Sequence, residues 1–163
     1  MDLLWRQLMG SEGQAELETR LKVAQHKLQL EWLDRDLLGE ALTTSAFLVE
    51  SPRHPYRHQQ WLEFLGDGVL RTVIRRYFAE RLPRIEVGQL AKLCDECTEN
   101  KKFTALAIRL GLESYLFLPT RSKPSCLADT YEALVGACFM GGGYEKAEAF
   151  VKRTFLDVEF PAS

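Results

Sequence analysis

Between about Pro55 and Glu80 the chain repeats large apolar residues at helical steps: Leu62, Leu65, Val69, Val73 and Phe78, with Phe64 and Ile74 beside them. Steps of three to five residues gather these side chains on one face of an α-helix, whereas a strand would scatter them over two faces. Sustained strand-like alternation occurs nowhere. Glycine and proline cluster at 51–55, 83–88, 119–124 and 141–143, where turns are expected, and the intervals between carry helical patterns. Ser11-Glu-Gly-Gln14 fits a capping box opening a helix to about Leu30, and Leu33 to Phe47 carries another. The pattern predicts an all-α fold of about seven helices with no sheet. No repeat, low-complexity tract or linker divides the chain. The economical organisation is one domain over residues 28–163, with residues 1–27 as an N-terminal helical extension packed on it.

A chain of 163 residues that is 46% apolar and 27% charged can bury one sizeable core. Those proportions exclude a disordered tail, a collagen-like rod and a disulfide miniprotein. The longest stretch without a charged or strongly polar side chain, Ala133 to Gly143, is far shorter than the roughly 20 apolar residues that span a bilayer. The first residues also lack the basic start and long apolar run of a secretion signal. An intracellular protein is expected, in cytoplasm or organelle matrix alike, with no membrane partner. The net charge of −2 and pI near 6.0 give no global attraction to nucleic acid, so such a partner would be met by a local patch. Cys94-Asp-Glu-Cys97 resembles half of a zinc site, but His26, His54 and His58 lie in unrelated settings upstream. Reduced thiols in helices are the better reading.

Two pairs of acids stand out because of their neighbours. Glu63 and Asp67 are four residues apart, so a helix puts both carboxylates on one face, within reach of a common ion. Trp61, Leu62, Phe64, Leu65, Val69 and Leu70 crowd them, and buried acids need partners. Arg71 can reach Asp67; no base stands a turn away from Glu63. Gly66 and Gly68 weaken the helix but permit close approach by another helix or a ligand. In the second pair, Asp129 and Glu132 are three apart, again one helical face, although Asp-x-x-Glu before an apolar run is equally a capping box with Asp129 as the cap. Ala133, Gly136 and Ala137 let that helix approach a neighbour closely. Should the neighbour carry Glu63, four carboxylates converge into a hard oxygen cage suited to Mg2+, with Mn2+ as a substitute. Two such ions can activate a water and stabilise the leaving oxygen in phosphodiester hydrolysis.

These segments carry a family resemblance. Leu62-Glu-Phe-Leu-Gly-Asp-Gly-Val-Leu70 resembles the signature of the ribonuclease III family, and Leu127-Ala-Asp-Thr-Tyr-Glu-Ala-Leu-Val-Gly-Ala137 resembles its second acidic motif. Glu99 to Ala107 and Leu110 to Leu116 are similar to intervening family segments, extending the likeness from about Leu28 to Phe155. The resemblance implies a helical endonuclease domain that cleaves double-stranded or structured RNA with Mg2+. It implies Glu63, Asp67, Asp129 and Glu132 as metal ligands, with Asp67 and Glu132 as the catalytic pair and Asn100 in support. The chain also departs from the family. Gln60 stands where a further glutamate is common; it can coordinate through its carbonyl but brings no charge. Glu86 precedes Gly88 one residue early relative to a family acid. Leu42-Thr43-Thr44 lacks the histidine usual in the first core helix, and the expectation is a minimal form without a double-stranded RNA-binding domain.

Arg71, Arg75 and Arg76, Lys101 and Lys102, and Arg121 with Lys123 are candidate RNA phosphate contacts, each alternatively a solvated surface charge. Lys123, just before the second acidic helix, is placed to reach a scissile phosphate. Trp61, Phe64 and Leu65 are large apolar groups beside acids that must stay open, which predicts a homodimer about a two-fold axis there. A heterodimer with a related chain is the alternative partner, and Leu65 is equally well an ordinary core residue. Two functions follow from this reading: a metal-dependent endoribonuclease, favoured by the retained acids, or a noncatalytic scaffold of the same fold in a ribonucleoprotein.

Overall fold

A computed structural model describes residues 11–119 and 126–161, with Ser11 and Glu12 described by backbone only. Among these residues the architecture is helical. In chain order the elements are α1 (Ser11–Leu28), α2 (Arg35–Ala41), α3 (Ser45–Glu50), α4 (Gln60–Arg81), α5 (Val87–Cys97), α6 (Asn100–Arg109), a 3-10 turn (Leu112–Ser114), α7 (Leu127–Val151), a π turn (Lys152–Leu156) and α8 (Asp157–Glu159). The only bridge of β type among the described residues is the isolated parallel pair of Thr43 and Phe117. No helix among them is long and apolar enough to cross a membrane.

The helix foreseen over residues 33–47 is two. The first ends at Ala41 with Leu42 as its C-cap, and Thr44 caps the second: the Thr44 Oγ1 accepts from the Phe47 amide at 3.2 Å, its own amide donates to the Phe117 carbonyl at 3.3 Å, and the Phe117 amide donates to the Leu42 carbonyl at 2.8 Å. A distant segment thus takes the backbone groups that would have continued the helix. Likewise α4 starts at Gln60 rather than near Pro55. The Gln59 amide donates to the Thr43 carbonyl at 2.8 Å, and its side-chain oxygen accepts from Thr130 at 3.1 Å. Those bonds hold residue 59 at the helix entrance. The side chain of Ser11, on which the expected capping box depends, lies outside the described residues.

The two central helices are α4 and α7. Leu62, Leu70, Val73 and Ile74 from the first and Leu134, Val135, Ala137 and Cys138 from the second are fully buried. They cross where Gly66 meets Gly136. A Cβ on Gly66 would overlap the Glu132 carbonyl oxygen, and one on Gly136 would overlap the Leu62 carbonyl oxygen. Only glycine allows the two backbones to come so close. Leu17, Leu21, Ala24 and Leu28 of α1 belong to the same buried cluster. The Gly141–Gly143 segment, foreseen as a turn, breaks the helical course of α7 in a kink at Gly143, where φ is 75° and ψ is −171°. Tyr131 stacks between Phe103 and Phe150, at ring separations of 5.7 Å each, and its hydroxyl pairs with Thr154 at 2.9 Å. That packing fixes the N-terminal turns of α7, which carry the acids.

Candidate metal centre

Close crossing of α4 and α7 brings the acids of both motifs together. Ligand oxygens of Glu63, Asp129 and Glu132 all lie within 4.8 Å of one another. Ligand atoms about 2.1 Å from a common Mg2+ lie at most about 4.2 Å apart, so a small inward rotation of these side chains lets the three acids share one ion. Asp129 is not the helix cap: α7 is entered through Cys126, which makes no side-chain capping bond, and Asp129 stands in the first turn. Its carboxylate is therefore available to the cluster. The Thr130 amide beside it donates to the Cys126 carbonyl at 2.9 Å and its hydroxyl donates to Gln59 Oε1 at 3.1 Å, tying the start of α7 to the start of α4.

The electrostatics report crowding. Burial, then the charges of Asp67, Asp129 and Glu63, push the Glu132 carboxyl up to about 7. Burial, then Asp129 and Asp67, push Glu63 upward as well. Half-buried acids that raise one another in this way are the donor set a divalent cation relieves. Oxygen ligands of this kind fit Mg2+ or Mn2+ and do not suit a soft metal.

The fourth acid stands aside. Asp67 is one turn from Glu63 but outside the group of three; its Oδ1 accepts from Arg71 Nε at 2.8 Å. Arg71 in turn donates through Nη1 to Thr98 Oγ1 at 3.2 Å. A cleft of about 220 Å³ opens beside Glu63 and Asp129, lined also by Gln59, Gln60, Thr44 and Cys126. Gln60 is exposed at its edge. Gln59 and Thr98 are structural parts of this region that their sequence positions did not announce, because their partners lie in other helices.

Several other expected positions fall elsewhere. Glu86 is the cap of α5, its side chain accepting from the Gln89 amide at 3.2 Å, and it is not among the clustered acids. Asn100 opens α6 with an exposed side chain. Arg76 is engaged by Glu80 at 2.8 Å and Glu148 at 3.5 Å, and Lys101 pairs with Glu99. Arg75 is exposed and Lys102 half-buried. Arg121 and Lys123 lie outside the described residues. Cys94, Cys97 and Cys138 are buried free thiols, and burial pushes each of them up. On α4, Phe64 is 83% exposed and Trp61 56%, while Leu65 is half-buried.

Known proteins resemble this chain in sequence and fold. A family model described as Ribonuclease-III-like matches residues 34–158. The chain is 34% identical over 137 residues to Ribonuclease 3 of Pelotomaculum thermopropionicum, covering 80% of this chain and 57% of that protein. It is 37% identical over 150 residues to Ribonuclease 3 of Heliobacterium modesticaldum, covering 88% and 61%. The chain thus spans about three fifths of the length of these curated relatives. The solved nuclease domain of ribonuclease III from Campylobacter jejuni superposes with a TM-score of 0.73 at 30% identity, covering 85% of this chain and 97% of that one. With the match running through both acidic helices and the helices between them, the chain belongs to the ribonuclease-III-like family.

Proposed function

We propose that the chain is an endoribonuclease that hydrolyses double-stranded or structured RNA with Mg2+, for which Mn2+ can substitute, acting inside the cell. The observation that carries this reading is the convergence of Glu63, Asp129 and Glu132 within 4.8 Å at the crossing of two buried helices. Paired ions held there would supply a water activated at neutral pH and stabilise the leaving oxygen. Glu63, Asp129 and Glu132 would hold the ions, and Glu132, beside the acids of both motifs, would help orient the water they activate. Asp67, held by Arg71, adds negative charge beside the ligands without joining them, and Gln60 at the edge of the cleft offers a neutral carbonyl.

Arg75 and Lys102, together with Arg121 and Lys123, are the proposed phosphate contacts; Arg71, Arg76 and Lys101 are engaged by carboxylates. Residues 28–163 are proposed as the nuclease unit, with residues 1–27 an extension packed on it. Phe64 and Trp61 support a homodimer: large exposed apolar groups on α4, flanked by the half-buried Leu65 and Val69, offer a self-complementary patch. The Campylobacter jejuni nuclease domain likewise has a region involved in dimer formation. Two clusters related by a two-fold axis would each face one strand of a duplex.

The test is incubation of the full chain with long double-stranded RNA in Mg2+ and, separately, in excess chelator. Fragments with 5′-phosphate and 3′-hydroxyl ends are expected only with the ion. Intact RNA in Mg2+ favours the scaffolding reading, and cleavage unaffected by chelator refutes the metal mechanism.

A further inference from the structure

Asp67 and Arg71 form an ion pair that neither acidic motif requires. Their spacing on α4 is one helical turn, and Arg71 Nε donates to Asp67 Oδ1 at 2.8 Å. The guanidinium is held from its other side by Thr98, whose Oγ1 accepts from Nη1 at 3.2 Å. Thr98 is itself buried; its hydroxyl is also within hydrogen-bonding reach of the carbonyls of Cys94 and Asp95, so it is anchored to the end of α5. Two fixed partners on different helices leave Arg71 little freedom. Its planar fork satisfies both at once in a fixed geometry.

The position of that charge matters because of what lies next to it. Asp67, one turn from Glu63, is not one of the three clustered acids, yet its charge acts on the Glu132 carboxyl ahead of those of Asp129 and Glu63. Arg71 also opposes the fields of Asp67, Asp129 and Glu63 at the Glu132 carboxylate. A fixed cation beside a three-carboxylate site repels an entering divalent ion, and by neutralising Asp67 it removes one acid that would otherwise attract it.

We propose that Arg71 is an internal counter-cation of the acidic cluster: it holds Asp67 outside the ligand group and sets a weaker affinity for divalent cations than the acids alone would give. Arg71 is on this account a positioning residue that acts through Asp67, and it is not a contact for RNA phosphate. The inference rests on the proposed metal site.

The test is calorimetric titration of Mn2+ into the full chain as wild type, Arg71→Gln and Arg71→Lys, with circular dichroism to verify folding. Arg71→Gln should bind Mn2+ at least threefold more tightly, because one opposing charge is gone and Asp67 is released. Arg71→Lys, which keeps the charge, should stay within twofold of wild type. A purely structural role for Arg71 would leave binding unchanged or weaken it, and either result in a folded Arg71→Gln overturns the proposal. If wild type binds no Mn2+, the metal site and this inference fall together; if wild type binds and the variant matches it, only this inference falls. A second measurement needs no variant. The hydrogen-bonded Nε proton of Arg71 should persist in the NMR spectrum of wild type at saturating Mg2+, and its loss would mean that Asp67 leaves Arg71 for the ion, contradicting the assignment.

Discussion

Two glycines on α4, two residues apart, should respond to alanine with opposite signs. At Gly68 a Cβ would meet nothing within 4 Å. Alanine there gains helix propensity of about 1 kcal/mol and should raise Tm by roughly 2–4 °C for a chain of this size. At Gly66 a Cβ would overlap the Glu132 carbonyl oxygen and lie 2.7 Å from the Gly136 nitrogen and 2.8 Å from the Glu132 carbonyl carbon. These atoms are backbone inside α7, so no rotamer change relieves them. Reaching ordinary van der Waals contact with that oxygen requires the central helices to separate by roughly 1.5 Å or more. Overpacking of a well-filled core costs about 1–3 kcal/mol, and this crossing belongs at the upper end because both backbones are rigid. Setting the propensity gain against about 3 kcal/mol leaves Gly66→Ala less stable by about 2 kcal/mol, a fall of about 4–8 °C in Tm. Thermal and urea unfolding by circular dichroism, at concentrations where the chain is monomeric, would measure both. Since the atom displaced is Glu132's own carbonyl, Mn2+ binding should weaken in Gly66→Ala and not in Gly68→Ala. Two variants of equal stability, or a stabilised Gly66→Ala, would refute the crossing.

Glu132→Gln should fold as wild type does yet lose RNA cleavage by a factor of 100 or more, scored on gels in Mg2+; activity within tenfold of wild type removes Glu132 from the site. Among Phe47, Tyr56 and Phe117, burial lowers the His54 imidazole to about 4. Its unfolded value is higher, so the unfolded chain binds more protons between about pH 4 and 6.5, and stability should rise with pH through that window and be lost as pH falls. For this partly exposed ring, screening leaves about 1–2 kcal/mol, to be read as the difference between wild type and His54→Gln in urea unfolding at pH 4, 5.5 and 7. Phe64→Arg, at a position 83% exposed, should leave the monomer folded while halving the mass by light scattering from about twice 18.7 kDa and removing double-strand cleavage; a dimeric variant would place the interface elsewhere.

Local spacing made much of the site legible. Glu63 with Asp67 and Asp129 with Glu132 fall on helix faces because helical periodicity fixes them, and glycines with small residues foretold the close crossing of the two helices. What stayed hidden depends on distant partners. Nothing near Thr44 reveals that Phe117 will take its amide and split the expected helix. Asp129 reads equally as a cap or a ligand until Thr130 and Gln59 are seen fixing an earlier start for α7, with Cys126 in the cap position. Glu86 and Arg76 read as functional charges by proximity in sequence, but a local amide and two glutamates claim them. The Arg71 spacing pointed to Asp67, whereas the second anchor, Thr98, comes from another helix.

The central claim is that Glu63, Asp129 and Glu132 together hold the ion that cleaves RNA. Anomalous diffraction from crystals of the full chain equilibrated with Mn2+ tests it most directly. The account predicts a peak about 2.2 Å from carboxylate oxygens of all three residues, with Asp67 still paired to Arg71. No peak at saturating Mn2+, or a peak held by other side chains while these three stay unligated, would contradict it.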